Sequence, residues 1–347
     1  MKKKILVAPL NWGLGHATRC IPIIKSLIAN KYEPILASDG DALILLQKEF
    51  PTLTSYQLPS YNIEYSKTNN LKHKLLLNTP KIIKAVKQEK KVVEEIRSKE
   101  YLSGIISDNR FGVRSVKIPS VYITHQLNVL SGNTTYITSS LHQKIISKFN
   151  ECWVPDSIGK FNLSGELSKL KKKKLKVKFI GALSRFEKKD AIKKYDLLVV
   201  LSGPEPQRSL LEKKVVFQLK KTNKKVVVVR GVFSEVEAPS INNNVTFINY
   251  MLSKQLEQTI NESEVILARS GYSTIMDLAK LEKKAFFIPT PGQFEQEYLA
   301  LRMNELNIAP FAHQDKFELE QLTTINKYNG FKKNTNGTLN SDVFSVF

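Results

Sequence analysis

The stretch EVILARSGYSTIMDLAKLEKKAFFIPTPGQFEQEYLALRM, residues 264–303, decides how the rest of the chain is organised. Residues 265–268 form an apolar run with the length and composition of a buried parallel strand. A glycine-bearing turn at 269–271 follows, and apolar residues then recur at helical spacing. A second strand at 285–289 leads through another turn into another helix. The stretch therefore predicts two consecutive strand-turn-helix units of a parallel sheet.

The turns of these units carry hydroxyl, amide and guanidinium groups that suit a ligand with a phosphate end and a sugar end. A helix that starts at the carboxyl end of a parallel strand is a favourable anion site, because its first N–H groups are unpaired. An upstream strand at 196–201 enters a Gly/Pro loop of the same kind, and a further strand ends at Arg230. The residues of interest on these turns are Ser202, Gly203, Arg230, Arg269, Ser270, Gly271, Gln293 and Gln296.

Composition limits the class of protein. A chain of 347 residues with 42% hydrophobic and 24% charged residues is long and apolar enough for two globular domains. Its two cysteines, Cys20 and Cys152, form no CxxC pair, which argues against a disulfide framework and a structural zinc site. No apolar window reaches the ~18–20 residues of a membrane span. We expect a cytoplasmic protein.

The formal net charge of +21 raises the question of nucleic-acid or anionic-membrane binding. Most of the excess is lysine scattered along the chain, which is typical of a solvated surface. Basic residues cluster at 171–174 and within 72–91. The segment 71–97 mixes apolar residues with lysines, as in an interfacial helix on anionic lipid, although a lysine-rich surface helix gives the same pattern. No interleaving of aromatic and basic residues indicates a nucleic-acid module.

The first half of the chain begins with a strand at 3–9 and a helix near 16–30, joined by a loop that contains Gly13 and Gly15. The third glycine of the dinucleotide fingerprint is missing, which argues against a nicotinamide cofactor. His16 lies at the helix N-terminus, where it either acts as a base at neutral pH or serves as a helix-capping residue. Arg19 follows one turn later.

Two other strand ends in this half carry polar side chains. Asp108 follows a strand at 103–107, and the run His125 to Asn128 follows a strand at 118–123. Ligands of parallel sheets bind at the carboxyl ends of strands, so both groups are candidates for the site. Asp108 is equally suited to capping a turn, and His125 to a structural role.

Strands and helices alternate along the whole chain, which predicts α/β architecture with two doubly wound, Rossmann-like parallel-sheet domains. We expect a first domain at 1–156, a basic linker at 157–176 and a second domain at 177–325. The tail at 326–347 is either frayed or packed back on the first domain.

Six motifs, in this order, resemble the GT-B glycosyltransferases, in particular the group that includes MurG and the monogalactosyldiacylglycerol synthases. They are the glycine loop at 13–16, residues 118–128, Ser202-Gly203, residues 245–251, residues 269–277 and residues 287–296. The resemblance implies two domains that face a central cleft, the first binding the acceptor and the second a UDP-sugar.

The resemblance also implies roles for individual residues. Phe247 and Ile248 would border the uracil, and Asp277 would accept hydrogen bonds from the ribose hydroxyls. The diphosphate would be held by Ser202, Gly203 and the Arg269-Ser270-Gly271 turn, and the donor sugar by Gln296. Two departures, Gln296-Glu297 in place of two glutamines and His125-Gln126-Leu127-Asn128 in place of HEQN, concern the donor sugar and the acceptor.

Together these features predict a metal-independent, inverting transfer of N-acetylglucosamine or another hexose from a UDP-sugar to an acceptor hydroxyl, without a cofactor. The only DxD pair, Asp39-Gly40-Asp41, lies in the first half, so helix N-termini and Arg269 would stabilise the leaving group. His16 would be the base, supported or replaced by His125 or Asp108.

The acceptor side would be lined by Gly13, Gly15, Arg19 and Asn128. A lipid-linked sugar, a soluble glycan and a small molecule all remain open as acceptor, and a lipid-linked one would place the protein at the inner face of the membrane.

Two other classes of function fit parts of the sequence. A nonhydrolysing UDP-sugar epimerase has the same fold and needs no acceptor. A noncatalytic basic protein would bind nucleic acid or membrane, with a strong dependence on salt.

Overall fold

The structure is a computed structural model that describes residues 2–61, 71–159, 162–169, 175–233, 237–331 and 339–347, with the backbone alone for 71–80 and Asn133. The described residues form two compact units. The first contains those up to Leu183 together with 339–347, and the second runs from Ser184 to Phe331.

The first unit is a seven-stranded parallel sheet with helices between its strands. The strand order is β3-β2-β1-β4-β5-β6-β7. The strands are β1 Lys4–Pro9, β2 Glu33–Ser38, β3 Ser55–Gln57, β4 Gly104–Asp108, β5 Ser120–Ile123, β6 Glu151–Val154 and β7 Val177–Phe179, and the helices are α1 Gly15–Ala29, α2 Gly40–Glu49, α3 Leu71–Glu100 and α4 Thr135–Ile146.

The second unit is a five-stranded parallel sheet with the order β10-β9-β8-β11-β12. Its strands are β8 Tyr195–Val200, β9 Val226–Val229, β10 Val245–Ile248, β11 Ser263–Ala268 and β12 Lys284–Phe287, and its helices are α5 Gln207–Leu219, α6 Ser253–Asn261, α7 Tyr272–Lys280 and α8 Phe294–Glu305. The prediction of two parallel α/β sheets is confirmed.

The central strands are continuous apolar runs, as expected of parallel strands that helices cover on both faces. All five residues of β4 and all four of β9 are buried. Helix α7 follows the same logic with a period of 3.6, since Tyr272, Ile275, Met276 and Ala279 are buried on the face toward the sheet.

The segment before residue 183 differs from the expected domain division. Strand β7, expected to open the second domain, pairs in parallel with β6, with Cys152 opposite Val177. The expected linker at 157–176 therefore precedes a strand of the first sheet, and the change of unit follows Leu183. Part of this segment is anchored, because the Asp156 carboxylate accepts hydrogen bonds from the Leu163 and Ser164 N–H groups. The lysine run at 171–174 lies outside the described residues.

The end of the tail packs on the first sheet. The Phe344 ring is 1% exposed and lies 6.0 Å from the Trp153 ring and 5.7 Å from the Tyr32 ring. The Phe347 ring sits against Gly104, where an added Cβ would come within 2.2 Å of it. Among the helices that the structure describes, none is long and apolar enough to cross a membrane.

Candidate active site

The carboxyl ends of β1 and β4 bring His16 and Asp108 together. The two strands pair in parallel with Pro9 opposite Asp108, and the Leu10 N–H donates to the Asp108 carbonyl at 2.9 Å. After β1 the chain passes through the glycine loop and enters α1 at Gly15. His16 thus lies in the first turn of a helix that begins beside the end of β4.

The side chains of His16 and Arg19 meet at the Asp108 carboxylate, which is fully buried. His16 Nδ1 lies 2.7 Å from Asp108 Oδ1, and Arg19 Nε donates to Asp108 Oδ2 at 2.5 Å. Arg19 Nη2 donates to Asp108 Oδ1, so the guanidinium holds the carboxylate with two parallel hydrogen bonds. We call His16, Arg19, Asp108 and His125 the histidine cluster.

The charges of this cluster follow from burial and proximity. Burial alone would raise the pKa of Asp108, but the charge of Arg19 and the contact with His16 bring it down to about 2. Burial lowers the pKa of His16, the Asp108 carboxylate opposes that change, and Arg19 adds to it. At neutral pH the carboxylate is therefore ionised and His16 is uncharged.

The position of the His16 proton follows from its two neighbours. Nδ1 lies 2.7 Å from an Asp108 oxygen, which only accepts, and 2.9 Å from Arg19 Nη2, which only donates. If Nδ1 carried no proton, its lone pair would face a lone pair of the Asp108 oxygen at the shorter of these two contacts. We therefore assign Nδ1 as the donor to Asp108, which leaves the Nε2 lone pair as the basic site. The side chain is 15% exposed, so this nitrogen belongs to a partly accessible ring.

His125 and Arg19 are more enclosed than expected of residues that touch an acceptor. His125 is 4% exposed and its Nδ1 lies 2.9 Å from Arg19 Nη1, while Arg19 is 2% exposed. Asn128 is also buried, and its amide donates to the carbonyls of Glu166 and Lys169 at 2.8 and 2.7 Å. The placement of Arg19 and Asn128 on the acceptor side stays a prediction, and in this structure both side chains donate hydrogen bonds within the protein. Gly13 lies in the loop before α1, and Gly15 is the first residue of that helix.

In the second unit, several predicted ligand residues surround the turn after β12. Gly203 has φ +99° and lies so close to Thr290 that an added Cβ would be 3.4 Å from its Oγ1. Ser270 Oγ donates to the Gln296 carbonyl at 2.7 Å. The Gln296 amide bridges the turn, accepting from the Thr290 N–H at 2.9 Å and donating to Gln293 Oε1 at 2.5 Å. Ser202 and Gly203 precede α5, and Gly271 is the N-cap of α7, which places both helix starts at strand ends.

Arg269 does not present its charge at a surface. It is 1% exposed, and it donates to the carbonyls of Ile288, Pro289 and Gln207 and to Gln314 Oε1, at 2.6–3.1 Å. Burial lowers its pKa to about 9, which leaves it charged at neutral pH. The role of Arg269 at a diphosphate stays a prediction, and in this structure its guanidinium connects residues 207, 288, 289 and 314.

Arg230 is likewise an internal residue. Its Nε donates to Glu212 Oε1 at 2.5 Å and its Nη1 to Asn249 Oδ1 at 2.8 Å. The second Glu212 oxygen accepts from Arg208 Nη1 at 2.6 Å. Arg230 thus belongs to a buried ion-pair network with Glu212 and Arg208, and its contact with a nucleotide stays a prediction.

Asp277 lies in α7 and accepts a hydrogen bond from Ser184 Oγ at 2.6 Å. Burial raises the pKa of Asp277 to about 6, against the opposing charge of Arg185. The contact with Ser184 was missed because 93 residues separate the partners and no local pattern links them. Phe247 and Ile248 are half-buried at the end of β10, where Phe247 packs against the core.

Within the described residues, no group of three or more His, Cys, Asp or Glu side chains is arranged to hold a metal ion. Asp39 of the DxD pair accepts a hydrogen bond from Arg110 Nη1 at 2.6 Å and is buried. Its carboxylate is therefore occupied by a guanidinium.

Comparison with known proteins agrees with this architecture. Residues 197–335 match the model of the glycosyltransferase family 28 C-terminal domain. Over 342 residues the chain is 22% identical to the UDP-N-acetylglucosamine–N-acetylmuramyl-(pentapeptide) pyrophosphoryl-undecaprenol N-acetylglucosamine transferase of Haemophilus ducreyi, covering 94% of this chain and 89% of the relative.

Solved glycosyltransferases share the fold at low identity. Spinosyn rhamnosyltransferase SpnG superposes with a TM-score of 0.65 at 12% identity, covering 95% of this chain and 93% of the other. SnogD from Streptomyces nogalater superposes with a TM-score of 0.61 at 12% identity, covering 94% and 91%. The chain is therefore a glycosyltransferase with the GT-B fold, and its second unit carries the match to the family 28 C-terminal domain.

Proposed function

We propose that the protein transfers N-acetylglucosamine from UDP-N-acetylglucosamine to a hydroxyl group of a lipid-linked acceptor, with inversion at the anomeric carbon and without a metal ion. The observation that carries the proposal is the contact of 2.7 Å between His16 Nδ1 and the buried Asp108 carboxylate at a strand end. This pairing orients a neutral imidazole as a general base. The donor and the acceptor class follow the name of the Haemophilus ducreyi relative.

The reaction is a single displacement. His16 Nε2 takes the proton of the acceptor hydroxyl while the hydroxyl oxygen forms a bond to the anomeric carbon of the donor. The bond from that carbon to the diphosphate oxygen breaks, and UDP leaves with the electron pair. Attack from the face opposite the leaving group inverts the configuration. Asp108 stabilises the imidazolium that forms, since its ionised carboxylate accepts from Nδ1.

The donor half rests on the second unit. The resemblance that assigns Phe247 and Ile248 to the base and Asp277 to the ribose fits their placement at the end of β10 and in α7. Residue 271 is the N-cap of α7, and the positive end of the dipole of this helix would face the diphosphate. Because Arg269 is engaged internally, backbone N–H groups are the leaving-group stabilisers that we propose in place of a divalent ion.

A lipid-linked acceptor requires contact with a membrane surface, and α4 offers apolar side chains for it. Tyr136, Ile137 and Leu141 are 76%, 68% and 62% exposed. Lys144 lies in the same helix and Lys148 follows it. The pKa of Lys90 in α3 is lowered by burial and then by the charges of Arg114, Lys148 and Lys87. Exposed apolar residues beside mutually repelling cations favour an anionic lipid surface, which would neutralise them. We therefore propose a peripheral association with the cytoplasmic membrane.

The donor is tested first by thermal stabilisation with UDP, GDP, dTDP and UDP-N-acetylglucosamine. Selective stabilisation by uridine species in the wild type and its loss in Asp277→Ala are the expected result. Transfer is then measured by mass spectrometry with UDP-N-acetylglucosamine and lipid-linked or soluble acceptors, with and without EDTA, and the anomeric configuration of the product by NMR. His16→Gln is the inactive control.

Each alternative gives a different result in these assays. An epimerase would change the stereochemistry of free UDP-sugar without an acceptor. A noncatalytic basic protein would ignore all four nucleotides. Membrane association is tested separately by sedimentation with two kinds of vesicle. One contains phosphatidylcholine alone, and the other contains about 30% phosphatidylglycerol, which imitates the anionic surface of a cytoplasmic leaflet. The variant Ile137→Ser/Leu141→Ser should sediment less, and equal sedimentation of both proteins would reject this face.

A further inference from the structure

A second buried cluster lies beside the histidine cluster and is centred on Arg110. Arg110 is fully buried and follows Asp108 by two residues. Its Nε donates to Glu89 Oε1 at 2.6 Å, its Nη1 donates to Asp39 Oδ1 at 2.6 Å, and its Nη2 donates to the Pro59 carbonyl at 2.5 Å. One cation thus ties α3, the end of β2 and the end of β4 to each other.

The other oxygen of Asp39 reaches the loop that carries His16. Asn11 Nδ2 donates to Asp39 Oδ2 at 3.3 Å, and Asn11 Oδ1 accepts from the Ala42 N–H at 3.4 Å. Both distances are long for hydrogen bonds, but the packing is close. Gly40 adopts φ +49°, and a Cβ there would lie 2.3 Å from Asn11 Nδ2. The Asn11 amide therefore occupies a slot that only a glycine leaves open.

One end of this chain of contacts lies next to Asp108, and the other end lies in the loop that carries the proposed base, His16. Arg110 fixes the chain just after Asp108, and Asn11 fixes the loop that enters α1 at Gly15, one residue before His16. A guanidinium between two carboxylates is rigid, because loss of one partner would leave an unpaired charge in the interior. The distance from His16 to Asp108 thus depends on a single buried unit.

We propose that Arg110, Asp39 and Asn11 act as positioning residues that hold the His16 loop against the end of β4, so that His16 keeps its proton on Nδ1, hydrogen-bonded to Asp108. The inference rests on the proposed function for its catalytic meaning, while the positioning itself concerns the free protein. None of the three residues is assigned contact with substrate.

The test variant is Asn11→Ala, which removes the amide from the loop and leaves both ion pairs of Arg110 in place. Arg110 itself is unsuited to a test, because its removal strands two buried carboxylates and is expected to prevent folding. The matched control is Tyr61→Phe at the far side of the cluster. It removes the hydrogen bond of 2.7 Å from Tyr61 Oη to Glu89 Oε2 and the hydrogen bond of 2.9 Å that Tyr61 Oη accepts from the Phe111 N–H, and it leaves Asn11 and Asp39 untouched.

The first readout does not require activity. Long-range ¹H–¹⁵N correlation spectra of protein labelled at histidine nitrogens report which ring nitrogen carries the proton, and the spectrum of His16→Gln assigns the His16 signals among the five histidines. Wild type and Tyr61→Phe should show His16 protonated at Nδ1. Asn11→Ala should show a mixture with the Nε2–H form. An unchanged Nδ1–H form in Asn11→Ala, or an equal change in Tyr61→Phe, would overturn the proposal.

The second readout is the transfer rate. We expect Asn11→Ala to lower kcat about tenfold, since a displaced base is costly even at a distance of 1 Å, and to leave the donor KM within about twofold of wild type. A normal kcat in Asn11→Ala overturns the positioning role. If the wild type is inactive but the tautomer changes as expected, the proposed function fails and the positioning stands.

Discussion

His125 Nδ1 lies 2.9 Å from Arg19 Nη1, whereas His16 Nδ1 lies 2.9 Å from Arg19 Nη2 and, at the shorter distance of 2.7 Å, from Asp108 Oδ1. A guanidinium nitrogen only donates, so His125 Nδ1 must accept and carries no proton. His125 thereby fixes the orientation of Arg19, which in turn holds Asp108. His16 Nδ1 instead donates to the carboxylate, and its second nitrogen is the basic one. The geometry thus favours His16 as base, Asp108 as its partner and His125 as a support of Arg19.

The first prediction concerns these separate roles. His16→Gln should lower kcat by about 10²–10⁴, the usual contribution of a general base, with little change in donor affinity. His125→Gln should lower kcat by less, about tenfold, because a glutamine oxygen can still accept from Arg19. Initial rates at saturating donor measure both. Equal losses in the two variants would contradict the assignment of a single base.

The second prediction is the pH dependence of transfer. A base must be unprotonated, and burial lowers the pKa of His16 below its ordinary value of 6.5. We therefore expect kcat/KM for the acceptor, at saturating donor, to be flat above pH 6.5 and to fall only at lower pH. Asp108, with a pKa of about 2, stays ionised throughout. An acid limb centred above pH 7 would show that His16 is not the titrating group.

The third prediction concerns nucleotide binding by Asp277, whose pKa burial raises to about 6. Only the ionised carboxylate accepts from both ribose hydroxyls, so stabilisation by UDP should be larger at pH 7.5 than at pH 5. Asp277→Asn should show weak stabilisation at both pH values in thermal-shift measurements. Ser184→Ala, which removes the hydrogen bond to Asp277 and keeps the carboxylate, should retain the pH dependence. A wild-type response to UDP that is independent of pH would speak against this role.

The fourth prediction separates stability from binding at Arg269. Arg269→Met leaves buried acceptors of two loops unpaired, and we expect a loss of about 2–4 kcal/mol in the free energy of unfolding. Urea unfolding measures this loss. The control Lys188→Met removes an exposed ion pair with Glu282 in the same unit and should cost less than about 1 kcal/mol. Loss of UDP binding by a stable Arg269→Met protein would restore the diphosphate role.

Much of the fold can be read from apolar runs and turns. Strand β9 is four consecutive valines, and β11 and β12 fall where the apolar runs of 264–289 predict them. The meeting of His16 with Asp108 is also predictable, because parallel strands place their carboxyl ends at one edge. The prediction that β7 opens the second domain was wrong, because a short apolar run does not indicate which strand it pairs with.

The direction of a buried polar side chain is harder to predict. Arg269 follows a strand at a ligand-facing edge, and its sequence context is that of an anion-binding residue. Its actual partners are carbonyls at 207, 288 and 289, which only the tertiary packing brings together. The same holds for Arg110, whose acidic partners Glu89 and Asp39 lie 21 and 71 residues away. The available signal for both was a charged residue within two positions of the end of a buried strand.

The last prediction links pH to stability through His142 on α4. His142 Nε2 lies 3.1 Å from Tyr122 Oη, and its ring packs against Phe111. Burial, with a smaller effect of His125, lowers its pKa from 6.5 to about 4. Above pH 6.5 the ring is neutral in both folded and unfolded chains, so it costs nothing. Below pH 6.5 the unfolded chain binds the proton first, and the folded state loses stability until about pH 4.

At pH 5 this difference amounts to about 2 kcal/mol relative to pH 7.5. His142→Phe keeps a ring beside Phe111 but cannot bind a proton. Its stability at pH 7.5 should be lower, because Tyr122 Oη loses its contact with His142 and keeps the hydrogen bond to Asn109. The further decrease between pH 7.5 and pH 5 should be smaller than in wild type. Urea unfolding at both pH values measures the decrease in the free energy of unfolding for each protein. Subtracting the decrease of His142→Phe from that of wild type removes the contribution of His16, which both proteins share. Identical decreases in the two proteins would mean that His142 is protonated as readily in the folded chain as in the unfolded one.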